Sequence, residues 1–155
     1  MTTAHEADGV DDATVDALGQ LSAALESVER ARGHLYSFHQ LCGKADFELG
    51  DAVDALRAAG HVELADELTA ELVGRNVLDG RWSFQIVEEY DDTYWSVFRS
   101  LEADARERLA GGRRHLYEAQ LKQQRRTPGR PHHEALPPER LHHPDDTGSA
   151  GSVQA

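Results

Sequence analysis

Apolar residues recur from Leu18 at alternating steps of three and four: Leu21, Leu25, Val28, a beat taken by Arg32, then Leu35, with the next beats on His39 and Cys42. Residues so spaced stack on one side of an α-helix, so the pattern predicts a first helix over about 14–42. Asp11 or Asp12 is placed to cap its start, and Gly43 to stop it in a left-handed turn. Ala23, Ala24 and Ala31 let a neighbouring helix approach closely. A second helix is expected over 47–59, capped by Asp46, with Phe47, Leu49, Val53 and Leu56 on its buried side. Gly50 weakens it by roughly 1 kcal/mol relative to alanine, and Gly60 ends it. A third, over 62–73, aligns Leu64, Leu68 and Leu72 in one row. The short link between these two predicts an antiparallel pair.

The stretch 74–81, GRNVLDGR, is rich in turn formers, and Val77 and Leu78 are expected to plug inward. Beyond it, 81–101 holds six of the ten aromatic rings in the chain. This stretch predicts a fourth and longest helix, capped by Ser83. Phe84, Val87, Tyr94, Phe98, Leu101, Ala105 and Leu109 mark its inner side, Asp91 occupies one beat, and Trp95 and Tyr90 widen that side. Alternation of Trp82, Phe84 and Ile86 admits a strand over 81–87, but a lone strand has no partner. Gly111-Gly112 punctuates the helix, which is expected to resume with Leu116, Tyr117 and Leu121, carry a Glu118–Lys122 ion pair, and run to about Arg126. The fold class expected is all-α: a helical bundle of about four main helices spanning 13–126. An acidic segment 1–12 and a Pro/His/Gly-rich segment 127–155, holding all five prolines, are expected to be disordered.

Charge changes the picture. The net charge is −12, and it is uneven: residues 1–110 carry 9 Lys/Arg against 23 Asp/Glu, and 111–155 carry 7 against 5. So acidic a body argues against nucleic acid as partner. Cys42 is the only cysteine, no apolar leader opens the chain and no apolar run approaches membrane length, so a reducing, cytoplasmic setting is the expectation. Abundant Arg, Ala, Gly and Asp fit a GC-rich bacterial genome. At 32–41 (RGHLYSFHQL), 71–95 (ELVGRNVLDGRWSFQIVEEYDDTYW) and 112–122 (GRRHLYEAQLK), the chain resembles a family of small, uncharacterised actinobacterial α-helical proteins. The resemblance covers roughly 25–134. It implies a cytoplasmic bacterial protein and assigns no catalytic residue.

Five constellations bear on chemistry. His39 and Cys42, three apart on a helix, suit a metal pair or an activated thiol, yet a buried free cysteine beside a packed histidine is the commoner arrangement. Arg32, His39 and Asp91 all fall on apolar stripes, so an inward polar cluster is expected among them, for structure before catalysis. The acids Glu88, Glu89, Asp91 and Asp92 form either a solvated face or, with His34 or His39, a divalent-ion site. His34, His39, Glu88 and Asp92 are the metal-ligand candidates. Trp82, Phe84, Tyr90, Tyr94 and Trp95 exceed what one buried stripe requires and are the candidate interaction surface. Arg113, Arg114, Lys122, Arg125 and Arg126 make a basic arm suited to phosphate or to an acidic neighbouring copy. Motifs for nucleotide, zinc-protease or serine-hydrolase chemistry are absent from the sequence. The reading is a non-enzymatic protein–protein interaction or structural module, without cofactor and with a second copy or another protein as partner. The alternative is a metal-binding bundle or metal-dependent enzyme built on the histidines and clustered carboxylates.

Overall fold

A computed structural model describes residues 9–137 of the chain. It is all-α: α1 (Asp12–Ala58), α2 (Val62–Glu71), α3 (Ser83–Tyr90), a π-helical turn (Asp91–Trp95), α4 (Ser96–Ala110) and α5 (Leu116–Arg125). Among the described residues the one β-type pairing is the isolated bridge between Leu78 and Arg81.

The spine is α1, which runs unbroken where two helices were expected. Asp11 caps it, accepting from the Thr14 amide at 3.0 Å and the Thr14 hydroxyl at 2.8 Å. Gly43 and Gly50 do not stop it. Neither adopts positive φ, and the heptad-like stripe continues across them through Asp46, Leu49, Val53 and Leu56. A break at Gly43 would have interrupted that stripe, and a continuous buried stripe outweighs a penalty of about 1 kcal/mol per glycine. Asp46, expected as a cap, accepts instead from the Gly74 amide at 2.8 Å and ties the loop after α2 to the spine. The helix stops at Ala58, two residues before Gly60 turns the chain at φ 92°.

The remaining helices lie along this spine. α2 packs on its C-terminal part, where Val53 and Ala65 are buried and Arg57 pairs with Asp66 at 2.7 Å. The stretch α3–α4 runs back along its middle and N-terminal part. At the far end Val15 and Leu18 of α1, Ala110 of α4 and Leu116 of α5 form the densest apolar cluster, with Val10 and Ala105 against it. α4 and α5 are separate helices. Gly111 and Gly112 both take positive φ, and so does His115, which opens α5. Two successive left-handed glycines turn the chain where a kinked continuation was expected. Glu118 lies 3.5 Å from His115 Nδ1, so its neighbour is on the N-terminal side and not at Lys122.

The side of α3–α4 turned to the spine also differs from expectation. Ser83, Val87, Asp91, Trp95, Phe98, Glu102 and Arg106 face α1, whereas Phe84, Tyr94, Leu101 and Leu109 are 51%, 50%, 64% and 53% exposed. The π turn accounts for part of this. Steps of four over-rotate by about 40° on a regular helix, and the wider turn at 91–95 cancels that drift, so Asp91 and Trp95 both stay on the inner side. Val77 and Leu78 do not plug inward; both are exposed. The loop is held by the Trp82 indole N–H, which donates to the Gly74 carbonyl at 3.1 Å.

Candidate functional site

The inner polar residues of α1 and α3–α4 meet in pairs. Arg32 donates to both oxygens of Asp91, Nε at 2.7 Å and an Nη at 2.9 Å, a bidentate fork matched to the carboxylate plane. Its guanidinium lies 4.0 Å from the Trp95 ring centre and 4.9 Å from that of Tyr36, and Arg99 covers Trp95 at 4.6 Å. The Arg32 hydrogen bonds hold the Asp91 carboxyl below its ordinary pKa, and Asp91 raises that of Arg32. Burial, then the neighbouring Tyr94 phenol and the acids Asp91 and Glu29, push the Tyr90 phenol up. The Trp95 indole N–H is buried without a hydrogen-bond partner.

His39 does not join this cluster. Its Nδ1 lies 2.8 Å from the Ser83 hydroxyl, which is buried. Ser83 was expected to cap the helix. Trp82 holds that position, with the Gln85 side chain accepting from its amide at 2.8 Å, and Ser83 crosses to α1. Cys42 is a half-buried free thiol.

The acids at 88–92 diverge. Glu89 takes Arg81 at 2.8 Å, Asp91 takes Arg32, and Glu88 and Asp92 are exposed. His34 is exposed on α1 and His39 is occupied by Ser83. Among the described residues no group of three or more His, Cys, Asp or Glu side chains is placed to hold a metal ion, so His34, His39, Glu88 and Asp92 are not brought together. In the basic arm, Arg113 closes α4 by donating to the Ala110 carbonyl at 2.8 Å, and Arg126 reaches Gln123 and the His133 carbonyl. Arg114 lines a different groove from Lys122, Arg125 and Arg126, so the arm is not one patch. The segment beyond Thr127 folds back far enough for the Thr127 amide to donate to His133 Nδ1 at 3.1 Å; residues 1–8 and 138–155, where disorder was also expected, lie outside the described residues.

The two sides of the α1–α4 hairpin differ. One is a polar groove of about 470 Å³ between Ser22, Glu26 and Glu29 of α1 and Arg99, Glu102 and Arg106 of α4, with Arg114 and His115 at its end. Glu102, 4% exposed, accepts from Ser22 at 3.0 Å and Arg106 at 2.8 Å. α5 closes this side, with Tyr117 seated on Gly19. Helical periodicity places Tyr90, Tyr94 and Phe98 on the opposite side. There their rings meet in turn, tilted and then edge-to-face, at 5.4 Å and 6.1 Å between centres. Val97 and Leu101 extend that side and are exposed. Of the candidate interaction surface, Tyr90 and Tyr94 belong to this ladder. Trp95 is an internal platform for two arginines, and Trp82 and Phe84 are exposed beside the loop after α2.

No helix of the described residues is long and apolar enough to cross a membrane. The class defined by fold and site is thus an all-α chain built on one long helix, with internal polar pairs and an apolar side that is exposed among the described residues. Comparison with protein-family models, with curated proteins and with solved structures finds no match.

Proposed function

We propose that the chain is a non-enzymatic interaction module that presents the apolar side of its helical hairpin to another polypeptide. The observation that carries this is the exposure of Tyr94, Val97 and Leu101 on one side of α4, opposite the polar groove. Isolated surface leucines are ordinary, whereas contiguous apolar area of this extent marks a contact surface. The internal polar groups support the same reading. Arg32, Asp91, Glu102, Arg106, His39 and Ser83 are paired with one another and serve to fix the hairpin. A cytoplasmic setting and membership among small actinobacterial helical proteins belong to the same proposal.

The test uses the chain at nanomolar dilution, where weak association is absent. Replacing Tyr94 and Val97 together by serine should leave far-UV helicity unchanged and shift stability by no more than about 1 kcal/mol, as for exposed sites. A loss of about 3 kcal/mol or more would place these side chains in the chain's own core and end the reading.

A further inference from the structure

We infer that the occupant of the apolar side is a second copy of this chain, two hairpins stacking face to face into a four-helix arrangement. This rests on the interaction-module reading above and names its partner.

The first support lies in α1. Beside the stripe that packs inside the chain runs another, strictly seven residues apart: Ala17, Ala24, Ala31, Phe38, Ala45 and Ala52. All six are exposed. Four residues after each comes an apolar residue of the inner stripe (Leu21, Val28, Leu35, Cys42, Leu49, Leu56). Of these, Val28 is buried within the chain and the others are half-buried, so the exposed row borders that stripe along its outer edge. A strict heptad is the signature of helix–helix packing, and small residues at one of its two positions allow close approach. On a helix the 17–31 alanines lie on the side away from Glu26 and Glu29. They therefore share the hairpin side that carries Tyr94, Val97 and Leu101. Alanine hollows and leucine or ring knobs on one surface make it complementary to itself, as a two-fold interface requires.

Charge is the second support. The chain carries −12, so two copies meet without repulsion only where charge is missing. The rim of the α1 seam reads Gln20, Ser27, His34 and Leu41 before its first acid at Glu48, and on α4 the exposed positions Tyr94, Val97 and Leu101 precede Asp104, which pairs with Arg108. A basic partner would be drawn elsewhere on the body.

Area is the third. The 83–110 stretch is about 42 Å long at 1.5 Å per residue. Two helices side by side are about 20 Å wide, so each copy offers roughly 800 Å², which is what a stable dimer buries per partner. Among the described residues, the C-terminal segment leaves Tyr94, Val97 and Leu101 exposed.

Sedimentation equilibrium of the full chain, with photocross-linking, tests this. Wild type should weigh two chains of 17.1 kDa at micromolar concentration. A31E and L101E should each raise the dissociation constant at least ~100-fold, because each buried charge enters the interface twice. Both should keep their helicity. F47S, at the most exposed large apolar side chain but off the seam, should stay dimeric. Should the glutamates unfold the chain, a benzophenone side chain at Ser27, on the rim, should cross-link two copies, and one at Phe47 should not. Wild type at the mass of one chain throughout, dissociation by F47S in place of A31E, or cross-linking from position 47 alone would overturn the inference. A monomeric wild type whose A31E and L101E forms keep their helicity leaves the module reading intact with a different partner. A monomeric wild type whose variants melt refutes both.

Discussion

The pairing of Arg32 with Asp91 shows how a charged residue survives on an apolar stripe. The fork satisfies both carboxylate oxygens, and Trp95 and Tyr36 cover the guanidinium faces. Asp91 has its folded-state pKa lowered, chiefly by hydrogen bonds from Arg32. Its contribution to stability is therefore complete above the ordinary carboxylate range, near pH ~4, and is lost as pH falls through the lowered value. D91N should remove that acid-side loss, which denaturant midpoints between pH 2 and pH 6 will read. His115 holds left-handed φ without being glycine. H115G should stabilise the chain by about 1 kcal/mol by removing that strain, seen as a higher denaturant midpoint. Glu102 is the converse case. E102A leaves Arg106 and Ser22 without their acceptor and should cost about 3 kcal/mol in the same assay.

Among the helices, α1 holds the clearest contrast between glycines. Gly33, Gly43 and Gly50 have open space where a Cβ would sit, and all lie off the heptad seam. G33A, G43A and G50A should each raise stability by about 0.5–1 kcal/mol without altering association, measured by thermal melting. At Gly19 a Cβ would meet the Tyr117 Cβ and Cγ at 3.1 Å. G19A gains helix propensity but pushes α5 off the spine, so hydrogen-exchange protection over 116–125 should fall while that of α1 holds. The apolar stripe 18–42 was legible in the chain, as were a cap at Asp11 or Asp12 and the boundary near Gly60, whereas the full stop at Gly111-Gly112 was read as a kink. The unbroken length of α1 was not, because Gly43 and Asp46 are plausible punctuation until the buried stripe is seen to pass through them. Nor was the phase of the fourth segment. A π turn adds a residue without any marker in composition, so Trp95, expected to widen an inner side centred on Tyr94, takes the inner place and Tyr94 is exposed.

As a body, the chain is an extended hairpin on a long spine. Two packed helices expose one broad side, which is why so many large apolar residues remain in contact with solvent. If the second copy fills it, the melting temperature should rise with protein concentration, because association adds to stability by mass action. It should change little between 50 mM and 500 mM salt, since the seam carries few charges.

Periodicity and capping are local, and so the chain's helical nature, the helix starts near Asp11 and Val62 and the apolar stripe of α1 follow from the order of residues alone. Which polar residues pair is not local. Arg32 and Asp91 are 59 positions apart, and His39 and Ser83 are 44 apart. Their partnerships depend on the register between antiparallel helices, to which the π turn contributes. The same register decides which apolar side faces inward and which is left for another chain, and that choice exists only once the helices are packed.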